Sequence, residues 1–446
     1  MPKLAIIGDG YSAAVLVYHL IKRQFSPQDI TVFGPNTLGL GQAYGSQHQD
    51  YRLNVRDNLM RIDPEKPDDF VSWANEHIDD PDAEVEAGRF YRRSDFARYM
   101  QQVIHDITHD APLHHIRETV DAITRDHDWI IETKTGQYRA DLVVMATGNP
   151  ASVLNFDCDD TIQAHITSQP WRGDWAHDLA EDDDLVIIGG GLTAMDLLSS
   201  LSASHHKGHI SVITPKGILP PPQLNWRDKG DNGFQWPDVS SASGLVRVMK
   251  TKMGASGWMD RGTQEHFEQL RKAINPVWRG LDEQHQTRLK RHLGWVWQLL
   301  RYRAAPQAVA AQESLVEKGQ LTLIKGRVCA ITPSLNSGSL HRITAHLDNG
   351  ESIHADHGFI ATGAGRDRLL AAMGASGLAQ LKQGHLEVTE RLQIIRPDGS
   401  IHQDAFALGP PTVMSRGDVI GATTIAGEAA LIAETIMDHI KDTDIG

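Results

Sequence analysis

The chain has 446 residues, which allows about three domains of ordinary size. Its formal charge of -14 argues against binding to nucleic acid through phosphate charge, and two cysteines exclude a disulfide framework or a CxxC redox or zinc motif. No apolar run reaches the 18 residues of a membrane span, and LAII at 4–7 is too short for a signal-peptide core, so a cytoplasmic protein of enzyme size is expected.

The first predicted element is the strand at 4–7. It leads into Gly-x-Gly-x-x-Ala at 8–13, a helix over roughly 11–23, and a second strand, ITVF, at 30–33. This is a βαβ unit of about 30 residues. Gly8 permits the tight turn, Gly10 lets backbone approach a pyrophosphate, and Ala13 lets the helix pack closely. The helix start then offers free N–H groups to phosphates. No acid follows the second strand at position 34, which is glycine; Asn36 is the nearby hydrogen-bonding candidate. The glycine-rich GLGQAYG at 39–45 follows, with Gly41, Gln42 and Tyr44 as candidates to meet a flat ring. Asn54 and Arg56 in LNVRDN are the next candidates. DLVVMATGNP at 141–150 reads as a buried strand ending in an Ala-Thr-Gly turn, with Gly148 in the turn.

The same pattern then recurs. Residues 184–194 read DLVIIGGGLTA, with Gly189, Gly191, Thr193 and Ala194 in the places of the first loop. A helix over roughly 192–203 and a strand at 210–214 complete the second βαβ unit. That strand ends in Thr-Pro-Lys without a carboxylate, so Lys216 favours a 2'-phosphate and NADPH over NADH. DHGFIATGAG at 356–365 repeats the Ala-Thr-Gly strand. A lone glycine loop is a weak signal; two copies, each between strands and each followed by this turn, predict two nucleotide-binding domains.

Between them lies a region at 225–315 holding Trp226, Trp236, Trp258, Trp278, Trp295 and Trp297, six of the ten tryptophans. From about 264 its apolar spacing is helical, and ILPPPQ at 218–223 punctuates its start. Residues 288–303 carry Arg288, Lys290, Arg291, Arg301 and Arg303 without an acid, read as a solvated basic face or as arginines facing a cleft. Segments 326–332 and 341–347 read as a strand pair with a turn near 334–339. His105 and His109 share a helix face, but no HExxH or further ligand accompanies them, and no metal is assigned.

These segments resemble the two-dinucleotide-binding flavoproteins, and more closely the bacterial FAD/NAD(P)-binding group that includes an FAD-dependent urate hydroxylase. The likeness is carried by GDGYSA at 8–13, GLGQAYG at 39–45, LNV at 53–55, FYRRSDFARYM at 90–100 and ATGNP at 146–150. It continues through QPW at 169–171, GGGLTAMD at 189–196, KGILP at 216–220, RHLGWVWQLLRYRAAP at 291–306 and ALGPP at 407–411. The resemblance implies an α/β fold of two Rossmann-like dinucleotide-binding domains with a helical insertion. The expected division is an FAD-binding domain from 1–165 and 350–446, and an NAD(P)H-binding domain at 166–349 that includes the insertion at 225–315.

On this reading FAD lies at 8–13 and 39–56, with Gln42, Tyr44, Asn54 and Arg56 around the flavin, and the nicotinamide cofactor lies at 189–194. Hydride passes from NADPH or NADH to FAD, reduced flavin reacts with molecular oxygen, and a small nitrogen-containing substrate, a urate-like purine or an amine, takes one oxygen atom. A flavin-dependent reductase serving another acceptor, or a non-catalytic FAD-binding regulator, are the alternatives. The oligomeric state stays open.

Overall fold

A computed structural model describes residues 1–46, 48–152, 154, 156–226, 237–253, 260–272, 274–334 and 342–444. Trp236, Trp258 and the turn expected after 334 lie outside them. The chain builds the same α/β fold twice. In the first copy the strands Leu4–Ile7, Ile30–Phe33, His114–Ile116 and Leu142–Met145 lie side by side in the order third, second, first, fourth. All are parallel, with Leu4 opposite both Ile30 and Leu142. The C-terminal strands Ile401–Ala407 and Gln393–Ile395 extend this sheet beyond Leu142–Met145. Strands Leu185–Ile188, Ile210–Thr214, Leu321–Lys325 and His357–Ile360 make the second copy in the same order, with Leu185 opposite Ile210 and His357. Such sheets place ligands at the carboxyl ends of the strands where the order reverses. That point falls at Gly8 and at Gly189.

The central strands are apolar on both faces, as parallel strands covered by helices or sheets must be. Leu185 and Ile187 pack on one side with Leu197, Leu201 and Ala308, while Val186 and Ile188 pack on the other with Ile331 and Ala345. The helix Tyr11–Lys22 is buried along most of its length because the C-terminal helix Ala422–Asp444 lies against it. That second helix turns Ile425, Ala429, Ile432, Ile436 and Ile440 inward at helical spacing.

The connection from third to fourth strand is an antiparallel meander in both copies. The first uses Val120–Asp126, Asp128–Thr133 and Gln137–Ala140. The second uses the expected pair, observed as Val328–Pro333 against Ile343–Leu347, joined by Ser352–Ala355 and Asp157–Cys158.

Two expected boundaries move. The strand His357–Ile360 pairs with Leu185–Ile188, so its residues belong to the second fold, and a boundary at 350 falls too early. The insertion also ends sooner than 315: the helix Pro306–Glu317 packs on Leu192–Ala203 and is the crossover helix of the second fold. The helices Ala242–Met253, Arg261–Lys272, Ile274–Gly280 and Glu283–Arg301 form the insertion, around a small core of Leu245, Ile274 and Leu281.

Candidate functional site

The first glycine loop owes its shape to its neighbours. Gly8 has φ +122°, and a Cβ there would overlap the Ala146 carbonyl oxygen and stand 2.7 Å from its carbon. Ala146 opens the Ala-Thr-Gly turn, so the two repeated motifs are one packing unit. Gly189 repeats this with φ +110° against Ala361 of the second turn. At Gly10 and Gly191 the reason differs. A Cβ on Gly10 would meet only the Gly41 Cα at 3.8 Å, and one on Gly191 nothing within 4 Å. These two glycines keep backbone bare toward open space.

The helices Tyr11–Lys22 and Leu192–Ala203 begin at those glycines with no side-chain cap and no acid in the first turn. Their leading N–H groups and positive dipole ends suit an anion such as a pyrophosphate. Ala13 and Ala194 are fully buried in the helix–sheet contact, and Thr193 is half-buried in the first turn of the second helix. Gly148 has φ +70° with open space around its α-carbon. The arrangement therefore fits a dinucleotide phosphate at each loop.

Around the first loop the structure gathers more residues than the sequence reading singled out. Asp9, between the two glycines, accepts from the Asn36 backbone N–H at 2.5 Å and from its side-chain amide at 3.4 Å. The C-terminal ALGPP segment arrives beside the helix start, where a Cβ at Gly409 would lie 3.0 Å from Ser12 Oγ. Nothing local in ALGPP announces that meeting. Gln42 is exposed on the short helix Gly41–Tyr44. The Tyr44 ring packs against Phe96 and Tyr11, with centroids at 5.1 and 6.1 Å, and burial pushes its phenol up to about 12. Its ring is part of that aromatic cluster and is half-buried.

Asn54 and Arg56 face the insertion. The Asn54 carbonyl accepts from the Gln223 side chain at 3.1 Å, and its surroundings include Arg52 and, from the second fold, Leu192, Met195 and Asp196. Arg56 lies over the Trp226 ring at 4.3 Å and donates to the Trp226 carbonyl at 2.8 Å. Its guanidinium ties the loop after the second strand of the first fold to the start of the insertion. Lys216 is exposed at the end of Ile210–Thr214, its ammonium 5.2 Å from the Trp295 ring.

The basic stretch at 288–303 is not a uniform solvated face. Arg301 and Arg303 are buried: Arg301 binds both oxygens of Asp418 at 2.9 Å, and Arg303 binds Glu268 and, at 3.0 Å, Gln223. Arg271 joins both acids, at 2.6 Å to Asp418 and 2.8 Å to Glu268. This network ties the insertion to the C-terminal part of the first fold. Arg288, Lys290 and Arg291 remain exposed.

The two folds meet directly. Ser152 donates to the Gly363 carbonyl at 2.5 Å, and Gly365 N donates to the Ala151 carbonyl at 3.1 Å. The two Ala-Thr-Gly turns thus run on into one joint. Arg93 makes a second joint, donating to the carbonyls of Ala43 and Arg52 and to Asp196 at 2.7 Å. Burial pushes the Asp196 carboxyl up to about 6 against the opposing pull of Arg93.

The rings of His105 and His109 are neighbours at 5.9 Å, but among the described residues no three His, Cys, Asp or Glu side chains cluster as metal ligands do. Among the described residues no helix is long and apolar enough to cross a membrane.

Fold and loops define a protein with two dinucleotide-binding folds, the architecture of two-domain flavoproteins. Residues 5–150 match the FAD-NAD(P)-binding family. The ornithine N-hydroxylase of Kutzneria sp. 744, solved with reduced FAD, NADP+ and L-ornithine, has the same fold: TM-score 0.65 at 12% identity over 98% of this chain and 99% of that one. L-lysine 6-monooxygenase from Pseudomonas syringae gives 0.64 at 13% identity over 99% and 100%. Thioredoxin reductase from Lactococcus lactis gives 0.56 at 10% identity over 99% and 100%. No curated protein matches the chain in sequence.

Proposed function

We propose that this chain is an FAD-dependent, NAD(P)H-using monooxygenase that hydroxylates a small nitrogen-containing molecule, with FAD at the first glycine loop and NADPH at the second. One observation carries the reading: two phosphate-ready helix starts, at Gly10 and Gly191, belong to folds joined turn to turn, with a helical insertion fastened across them. FAD held at the first loop would supply hydride acceptance and the chemistry with oxygen. The protein's share is to hold the cofactors. The helix starts would bind the phosphates, Gly41 brings bare backbone against Gly10, and Lys216, exposed just past the strand Ile210–Thr214, would meet a 2'-phosphate. The insertion, which leaves the second fold after Ile210–Thr214, is clamped to the C-terminal part of the first by the Glu268–Arg271–Asp418–Arg301 network.

An amine is favoured over a purine as substrate, because similar folds of like domain arrangement belong to enzymes named for ornithine and lysine. The likeness to thioredoxin reductase raises a disulfide reductase as the competing reading. That chemistry needs a paired redox cysteine, and the two cysteines, Cys158 and Cys329, form no CxxC.

The test is NADPH consumption by FAD-loaded protein across purines, amino acids and polyamines. A monooxygenase shows substrate-stimulated oxidation that needs oxygen and yields hydroxylated product. Oxidation that proceeds equally without oxygen when a quinone is supplied supports a reductase, and protein that takes up no flavin refutes both.

A further inference from the structure

The first fold lacks the acid that dinucleotide-binding folds carry at the end of the second strand to hold the ribose hydroxyls. Position 34 is glycine, and the duplicated fold shows what replaced it. Leu4 pairs with Ile30 as Leu185 pairs with Ile210, which makes Gly34 equivalent to Thr214 and Asp9 equivalent to Gly190. In both copies the loop residue between the glycines faces the end of the second strand. A Cβ at Gly34 would stand 2.5 Å from the Asp9 carboxyl carbon, and a Cβ at Gly190 would overlap the Thr214 side chain. Each copy therefore has room for one side chain at this point. The second copy supplies it from the strand, and the first from the loop.

Asp9 is only 6% exposed. Among the described residues its carboxylate accepts hydrogen bonds from Asn36 alone, at 2.5 and 3.4 Å. A carboxylate has about four acceptor positions, and leaving buried ones unfilled is costly. Vicinal hydroxyls of a ribose are donors of the right kind at this end of the strand. We propose that Asp9 takes over the ribose-binding role of the missing strand-end acid, so that the adenosine ribose of FAD is held from the glycine loop, with Asn36 placed beside it by Asp9. This rests on the assignment of FAD to the first fold.

The test uses binding rather than turnover. Apo protein is titrated with FAD, FMN, ADP and 2',3'-dideoxy-ADP by calorimetry, for the wild type, Asp9→Gly, Asp9→Asn and the double variant Asp9→Gly with Gly34→Glu. Losing hydrogen bonds to a charged group weakens binding on the order of 10–100-fold. The wild type should show that penalty between ADP and its dideoxy form. Asp9→Gly should abolish the penalty, weaken FAD by a similar factor and leave FMN unchanged. The double variant should restore the penalty, because removing Asp9 opens the space that a side chain at 34 needs. If Asp9→Gly does not fold, Asp9→Asn, which keeps the shape and drops the charge, carries the comparison. No penalty in the wild type, or one that persists without the carboxylate, overturns the proposal, and failed restoration overturns the equivalence of positions 9 and 34. A wild type that binds neither FAD nor ADP overturns the cofactor assignment itself.

Discussion

The two glycines of each loop are conserved in spacing between the copies for different reasons, and substitutions separate them. Gly8→Ala forces an L-residue to φ +122° and drives its Cβ into the Ala146 carbonyl. The backbone conformation costs roughly 1–2 kcal/mol and the overpacking about 1–3 kcal/mol, so a loss of about 2–5 kcal/mol is expected. Gly10→Ala starts from φ -82° with the nearest atom 3.8 Å away. Its cost is that of a poorer helix cap, below about 1 kcal/mol. For FAD binding the order reverses, because the Gly10 Cβ enters the space left for phosphate. Gly10→Val should then give a folded apo protein that stays colourless. Urea unfolding of the apo protein, read beside flavin content after reconstitution, measures both effects. A Gly10 variant that unfolds as readily as Gly8→Ala, or that keeps its flavin, would refute the reasoning.

Three further substitutions probe the charges. Asp418→Asn leaves Arg301 and Arg271 short of a carboxylate in a buried site and should loosen the insertion by about 3–5 kcal/mol, seen as faster proteolysis between 237 and 303. Burial raises the Asp418 carboxyl, but Arg301 and Arg271 outweigh it and hold it below the usual value. Its contribution is therefore present above the unfolded pKa and lost as pH falls through the lower folded one, and the variant should lack that part of the acid sensitivity. Asp196 runs the other way: its folded pKa, about 6, lies above the unfolded value, so stability falls as pH rises from about 4 to 6. Asp196→Asn should remove that slope of roughly 2–3 kcal/mol in denaturation measured across the interval, and an unchanged slope sinks the assignment. Lys216→Ala should raise the KM for NADPH roughly tenfold while leaving NADH little changed; equal effects on both coenzymes would rule out a 2'-phosphate contact.

What could be read in advance follows the reach of each signal. Strands Ile30–Phe33 and Ile210–Thr214 and the helix Leu192–Ala203 fall where expected, because each is a short apolar run bounded by glycine or polar turns. The meander at 120–140 carries no clear sequence signal, since strands such as Gln137–Ala140 are half-exposed and show little apolar alternation. Pro306–Glu317 reads as part of the insertion because helical spacing does not tell which core a helix serves. Arg301 and Arg303 sit in a run without acids, and their partners Glu268 and Asp418 are remote in sequence. Asp9 shows the opposite failure. Its signal was local, an acid inside a glycine loop beside a strand ending in glycine, but it reads as a missing group until the two copies are laid in register.

The same comparison bears on how a chain of charge -14 can hold two anionic dinucleotides. Two cations of the basic run are spent elsewhere: Arg301 and Arg303, with Arg271 beside them, neutralise Glu268 and Asp418, while Arg93 neutralises Asp196. The remote negative charge matters little at contact range, because salt screens it beyond about 8–10 Å. What acts on a phosphate at Gly10 or Gly191 is the uncapped helix start, with no acid in its first turn to compete. Binding built this way depends on backbone geometry more than on side-chain charge. FAD affinity should therefore respond weakly to salt and strongly to any side chain placed at Gly10, and a steep salt dependence would show that exposed side-chain cations hold its phosphates instead.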